Sequence, residues 1–465
     1  MNEFPYVYFL GIGGIGMSAL ARWFRANGHR VSGYDKTETP LTQALAAEGM
    51  AIHYADAVDN IPAEIRANRE KTLVVLTPAI PADSAEWAWL RAEGYDIRKR
   101  SQVLGVLTQG HYTIAVAGTH GKTTTSSMVA HLLHHAGLDV GAFLGGIAVN
   151  LGSNLLLPKT PAAPIVVEAD EYDRSFLTLF PDVAIITSTD ADHLDIYGDK
   201  AALVDSFCQF VAQIKPGGTL VINHTADPSV AAAVPVGTRV IRYGLNAGQG
   251  PELFATDISA EGHQFHFNLH GPGGVVPGLK LAVPGYHNVE NMLAAAAVAQ
   301  IRGINSKKIC AAVADYRGVK RRFEFVVTAG EKVYLDDYAH HPREIEAFLR
   351  SVRALYPGKR LRVIFQPHLF TRTRDFAAGF SESLSVADEV FLLDIYPARE
   401  KPLPGITSDV LLPAISAPIK ALQTKAQVLN AARTDTSFDI LATVGAGDID
   451  TLVPQLKAIL TERWK

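Results

Sequence analysis

The chain has 465 residues, 48% of them hydrophobic, which at roughly 150 residues per domain points to about three domains and excludes a disordered or fibrous protein. Its 43 Lys+Arg against 47 Asp+Glu leave a net charge of -4, so no whole-chain basic field calls for nucleic acid or an anionic membrane. A phosphate ligand has to be held locally.

Short apolar strands alternate with amphipathic stretches, the pattern of parallel sheets covered by helices, so the predicted fold class is α/β. Tyr6–Leu10, Arg30–Tyr34 and Thr72–Leu76 form a first series of strands, and Thr113–Ala117, 165–167 and 183–187 a second. A third series comprises 333–335, Leu361–Phe365, 390–393 and Ile440–Val444. The Gly- and Pro-rich segment 248–284, with its alternating Phe265-His266-Phe267-Asn268-Leu269, is expected to add antiparallel strands or a hairpin to the middle of the chain. Boundaries near Gln109-Gly110 and after the Ala-rich helix that begins near Asn288 give expected domains 1–109, 110–319 and 320–465.

Cys208 and Cys310 are too few for a disulfide framework, and no CxxC or Cys/His cluster suggests structural zinc, so a cytoplasmic location is expected. Residues 1–10 carry Glu3 in place of a basic leader, and no apolar run approaches the ~18 residues of a spanning helix. No membrane partner is predicted.

The first chemical motif is Gly11-Ile12-Gly13-Gly14-Ile15-Gly16, between an apolar strand and a helix-like run. Such a loop turns tightly and brings backbone N–H groups and a helix N-terminus against a diphosphate. Asp35 ends the next strand, where these folds place a ribose-binding acid. Spacing leaves open whether the ligand is a nicotinamide dinucleotide, as in an oxidoreductase, or a sugar nucleotide.

The second motif, Gly118-Thr119-His120-Gly121-Lys122-Thr123-Thr124-Thr125, follows a strand and opens a helix whose apolar positions Met128, Val129, Leu132 and Leu133 share one face. It can wrap phosphates in N–H groups, extend Lys122 to the β/γ oxygens and offer a hydroxyl to Mg²⁺. Val116 stands where the general phosphate-loop pattern has Gly. Glu168 and the Asp192-His193 pair follow later strands and point to the same edge. Asp170, Glu171, Asp173 and Asp195 read equally as solvated loop charges. Two diphosphate-binding loops suggest a nucleotide-bearing substrate and a second ligand that supplies phosphoryl energy. In the third series, Asp336-Asp337-Tyr338-Ala339-His340-His341-Pro342-Arg343 and Gln366-Pro367-His368-Leu369-Phe370-Thr371-Arg372-Thr373-Arg374 follow strands, and their guanidinium groups could grip a carboxylate.

Taken together the motifs resemble the Mur ligase family nearly end to end. The carriers are GIGGIGMSA at 11–19, TPAIP at 77–81, GTHGKTTT at 118–125, EADEYD at 168–173, DADHLDIYG at 190–198, GYHNVEN at 285–291, KRRFE at 320–324, DDYAHHP at 336–342 and QPHLFTRTR at 366–374. The resemblance implies a Rossmann-like UDP-binding domain, a central P-loop ATPase-like domain and a C-terminal Rossmann-like domain. It implies ATP-dependent ligation of L-alanine to the lactoyl carboxylate of UDP-N-acetylmuramate in peptidoglycan precursor synthesis, with ATP and Mg²⁺, in a monomer or homodimer.

On this resemblance Gly11, Gly13, Gly14, Ile15, Gly16, Asp35 and Thr77 hold the UDP substrate, and Gly118, Thr119, His120, Gly121, Lys122, Thr123 and Thr124 hold ATP. Asn288 and Asn291 match the adenine contacts, Arg322 the arginine reaching the ATP phosphates, and Asp337 and Tyr338 further nucleotide contacts. Thr123, Glu168 and His193 surround the metal ions; Lys122, Glu168, His193 and Arg322 form the catalytic set. His340, Arg372 and Arg374 fall where the amino acid is expected. Leu369 stands where many relatives have a basic residue, and Ser188 where many have Asn. Phe207 and Cys208 occupy the region of a carbamylated lysine found in sister ligases, so no carbamate bridge is predicted. Closure about linkers near residues 110 and 320 would exclude water.

Overall fold

A computed structural model describes residues 3–190, 194–245, 248, 250–398, 400–435 and 437–465, with 194 and 195 described by backbone alone. They pack as two compact units, one of Met1–Phe254, His270–Val275 and Asn291–Ala312, the other of Ala255–Leu269, Val276–Glu290 and Val313–Lys465.

The first unit begins with a parallel sheet of β1 (Tyr6–Leu10), β2 (Arg30–Tyr34), β3 (Ala51–His53), β4 (Thr72–Leu76) and β5 (Asp96–Lys99), in the order β3-β2-β1-β4-β5. Residues Val7 to Leu10 of β1 are buried on both faces, as a central parallel strand covered by helices must be. Chain connections diverge between β1 and β4, and ligands of such sheets bind at the C-terminal strand ends of that switch point. Gly11 follows β1 there, and Thr77 follows β4.

A second sheet contains β6 (Thr113–Ala117), β7 (Gly141–Ala148), β8 (Ser153–Leu156), β9 (Ile165–Glu168), β10 (Val183–Ile186), β11 (Thr219–Asn223) and β12 (Arg239–Gly244), in the order β12-β11-β10-β6-β9-β7-β8. All its pairings are parallel except the β7–β8 hairpin. The Gly- and Pro-rich segment forms β13 (Leu253–Glu261), β14 (Gln264–Gly271) and β15 (Gly274–Leu281). β13 enters beside β12 through Tyr243↔Leu253 and Gly244↔Phe254.

The helix Lys122–His135 after β6 departs from the one-faced pattern expected of it. Every residue from Thr123 to Leu133 is buried, and within this stretch Ser126 Oγ donates to Thr123 O at 3.1 Å and His131 Nε2 bonds Ala312 O at 2.9 Å. Residues on either side of Gln109-Gly110 are in contact: Thr178 Oγ1 donates to Ser101 O at 3.0 Å, and Gly105 lies so close that a Cβ would stand 2.7 Å from Thr178 O.

The second unit carries β16 (Glu324–Ala329), β17 (Lys332–Asp337), β18 (Leu361–Phe365), β19 (Glu389–Leu392), β20 (Ile419–Leu422) and β21 (Ile440–Val444) in the order β16-β17-β21-β18-β19-β20. Only β16–β17 is antiparallel. The ends of β17 and β18, flanking β21, present the Asp336 and Gln366 loops. No helix among the described residues is long and apolar enough to cross a membrane.

Candidate active site

The phosphate loop is shaped by two glycines in left-handed backbone, Gly118 at φ 132° and Gly121 at φ 81°. A Cβ on Gly118 would lie 2.1 Å from Thr187 Oγ1, and one on Gly121 2.7 Å from Asn291 Oδ1, so bare backbone packs against both neighbours. Asn291 is thereby brought to the loop. Ser188 holds the loop from the end of β10: its hydroxyl meets Thr119 Oγ1 at 2.6 Å and accepts from His120 N at 3.0 Å. The short side chain at this position does positioning work for the loop.

Lys122 and Glu171 form a buried ion pair. Lys122 Nζ lies 2.8 and 2.7 Å from the two Glu171 oxygens and donates to Gly118 O at 2.9 Å, with Glu171 fully enclosed. Burial opposes the ammonium charge, but Glu171, Asp170 and Glu168 outweigh it and raise the Lys122 pKa. Glu171 is thus no solvated loop charge, because the chain after β9 turns it inward onto the lysine. Asp170 and Asp173 face Arg100 and Lys99 at 3.7 and 3.6 Å. Among the described residues these basic partners, with Asn154 and Gly145, are site features that no motif announced.

Glu168, the last residue of β9, is fixed by two donors, Thr123 Oγ1 at 3.1 Å and Gly145 N at 3.0 Å. Gly145 packs directly against this carboxylate, since a Cβ there would stand 2.2 Å from Glu168 Oε2 and displace it. The Thr123 hydroxyl and Glu168 carboxylate are hard oxygen donors side by side, a donor set that suits Mg²⁺. His193, the expected third member, lies outside the described residues, among which no group of three His, Cys, Asp or Glu could hold a metal. Phe207 is packed edge-on against Phe176, remote in character from a metal ligand.

At the first glycine loop, Asp35 Oδ2 accepts from Gly13 N at 2.7 Å, so this acid braces the loop itself. Gly11 closes on Thr77, whose Cγ2 would be 2.5 Å from an added Cβ, and Gly14 caps the helix Ile15–Ala26 without a side chain, leaving its N–H groups open to an anion.

The second unit gathers the remaining expected residues. Asp337 accepts from Phe323 N and Ala339 N, each at 2.7 Å, and burial pushes its pKa up to about 6 against the pull of Arg322 and these donors. The Arg321 and Arg322 guanidiniums lie 5.2 and 5.0 Å from the Tyr338 ring. Burial drives His340 down to about 4, opposed by Glu344 and assisted by Arg372. Its neutral ring bonds Tyr338 O through Nδ1 at 3.0 Å. Arg374 is half-exposed and bonds Asp375 at 2.7 Å. Leu369 caps the helix Phe370–Asp375 at φ 70°, held there by Leu369 N donating to Tyr396 O and by Glu400 accepting from Phe370 N. Asn288 donates to Pro284 O at 2.8 Å.

Family models match along the chain: the Mur ligase family catalytic domain over 6–112, the Mur ligase middle domain over 116–299 and the Mur ligase glutamate ligase domain over 321–448. The chain is similar to the UDP-N-acetylmuramate–L-alanine ligase of Cytophaga hutchinsonii, at 45% identity covering 98% of this chain and 97% of that one. It is similar also to that of Porphyromonas gingivalis, at 46% identity covering 98% of each. Among solved structures it resembles the UDP-N-acetylmuramate–alanine ligase of Thermotoga maritima, with a TM-score of 0.81 at 27% identity over 99% of both chains. A murein peptide ligase from Psychrobacter arcticus shares the fold, with a TM-score of 0.71 at 24% identity over 98% of both chains.

Proposed function

The chain belongs to the Mur ligase family, and from that premise we propose that it joins L-alanine to the lactoyl carboxylate of UDP-N-acetylmuramate at the expense of ATP. The observation that carries the reading is the grouping of Lys122, Thr123 and Glu168 at the mouth of the phosphate loop.

A carboxylate does not react with an amine at neutral pH, because its oxygen leaves poorly. ATP converts it first to an acyl phosphate. The UDP sugar is assigned to the first glycine loop, with Gly11, Gly13, Gly14, Ile15, Gly16, Asp35 and Thr77. ATP is assigned to the loop 118–124 with Asn288 and Asn291. Lys122 exchanges Glu171 for phosphate oxygens, and its ammonium neutralises charge as the lactoyl oxygen bonds to the γ-phosphorus and ADP departs. Thr123 and Glu168, with His193, are the residues to hold Mg²⁺, which when bound supplies Lewis-acid stabilisation of the phosphoryl oxygens. Arg322 adds a further positive charge for the phosphates, and Asp337 and Tyr338 are assigned to the nucleotide. His340, neutral through burial, and Arg372 are assigned to the amino acid, whose amine attacks the acyl carbon and expels phosphate; Arg374 is the second guanidinium for the carboxylate. The three domains are assigned as 1–109, 110–319 and 320–465.

The test is phosphate release from purified protein given UDP-N-acetylmuramate, ATP and Mg²⁺. Release is expected only once L-alanine is added, and equal release without the amino acid would reject the ligase reading. Lys122→Ala at full rate would reject the site.

A further inference from the structure

We propose that the β7–β8 hairpin is a spacer that sets the UDP-sugar loop against the phosphoryl-transfer site, with Asn154 as its positioning residue. The inference rests on the proposed function, since it assumes that the acid is presented by the first glycine loop and activated at the second.

The hairpin holds both sites by direct hydrogen bonds. On β8, fully buried Asn154 donates through Nδ2 to Ile15 O at 2.5 Å and to Ser18 Oγ at 2.9 Å, and its Oδ1 accepts from Arg22 Nη1 at 2.7 Å. Ile15 opens the helix whose N-terminus is the glycine loop, so the amide grips the first turn beneath the diphosphate. On β7, Gly145 N donates to Glu168 Oε2 at 3.0 Å, and the missing side chain is what admits that carboxylate. The strands pair at Ala142↔Leu156, Phe143↔Leu155 and Ala148↔Ser153, with a register shift between Phe143 and Ala148, and β7 is also paired through Phe143 to β9, which ends in Glu168. One hairpin therefore runs from the start of the acid-presenting helix to the carboxylate assigned to the metal.

An amide suits this post because it donates to a helix carbonyl and accepts from a guanidinium at once, which neither a carboxylate nor an alkyl group does. Arg22 in turn is held by Glu48 through Nε at 2.9 Å and Nη2 at 2.8 Å. Mere attachment of the two sheets does not need Asn154, because Thr178 already bonds Ser101 O and packs on Gly105. Asn154 adds register at the one helix turn that carries substrate. Phosphoryl transfer is sensitive to such register, as a misplacement of about 1 Å costs on the order of a hundredfold.

Asn154→Leu tests this. Ile15 O retains Ser18 Oγ as donor and Arg22 retains Glu48, so the fold keeps its other bonds. Acyl phosphate is trapped as the hydroxamate by hydroxylamine, without L-alanine, while calorimetry measures UDP and ATP-analogue binding separately. The expected result is hydroxamate formation down by about tenfold to a hundredfold, with each binding constant within about twofold of wild type. Should that variant not fold, Arg22→Met removes the group that orients the amide and is expected to give the same pattern at about threefold to tenfold. A normal hydroxamate rate in the folded variant, or a fall in UDP affinity that accounts for the whole loss, would overturn the inference alone. Wild-type protein that forms no hydroxamate would overturn the ligase reading and this inference with it.

Discussion

Lys122→Met separates what the Lys122–Glu171 pair does for folding from what the lysine does for chemistry. The lysine side chain is 14% exposed and Glu171 is 0% exposed, so removing the ammonium takes a cationic partner from a carboxylate that water cannot reach. Breaking such a pair costs about 3–5 kcal/mol, whereas replacing both partners with neutral groups is often close to neutral. The single variant is therefore expected to lose about 3 kcal/mol or more in urea unfolding, and Lys122→Met/Glu171→Gln to recover most of it. Activity behaves differently, because the recovered fold still lacks the cation that meets the phosphates. Phosphate release with all substrates present is expected to fall by at least about a hundredfold in both variants. A single variant as stable as wild type would refute the buried-pair argument; a double variant with restored turnover would refute the catalytic one.

Gly145→Ala places a Cβ 2.2 Å from Glu168 Oε2 and is expected to lower turnover by about tenfold to a hundredfold while raising the Mg²⁺ concentration needed for half-maximal rate; an unchanged Mg²⁺ titration would contradict it. Gly13→Ala puts a Cβ 2.6 Å from Thr42 Cγ2 and 2.8 Å from Asp35 Oδ2, so calorimetry is expected to show weaker UDP binding with ATP-analogue binding intact. Burial lifts Glu86 to about 7, against the hydrogen bonds from Tyr8 OH and Ala57 N, with Asp56 reinforcing the rise. The fold thus prefers its protonated form, a contribution present below the ordinary carboxylate range and lost as pH rises through about 7. Melting temperature is expected to fall over that interval in wild type and less in Glu86→Gln, and parallel profiles would refute the assignment.

Much of the site was legible because its motifs are local. A strand, a glycine turn and a helix start lie within a few consecutive residues at Gly11–Gly16 and again at Gly118–Lys122, and each turn constrains its own backbone. The Asp336 and Gln366 loops likewise follow their strands. What escaped were features made by pairing distant segments. The hairpin of β7 and β8 reads poorly because Gly141, Gly145 and Gly146 dilute its strand signal, yet one of those glycines admits Glu168. Asn154 sits 139 residues from the carbonyl it grips, so no window of sequence contains both. Glu171 looked like one acid among several, and only the turn after β9 selects it for burial on Lys122. The helix after the phosphate loop showed an apolar face, but Thr125 and Ser126 are enclosed too, since sheet and helices cover it on every side.

The central claim is that an oxygen of the sugar's lactoyl carboxylate attacks the γ-phosphorus before the amine arrives. Synthesis of UDP-N-acetylmuramate labelled with oxygen-18 in that carboxylate, followed by turnover with ATP and L-alanine and mass analysis of the phosphate, tests it most directly. The account predicts transfer of a single labelled oxygen from the acid to each phosphate released. Unlabelled phosphate alongside normal product would contradict it.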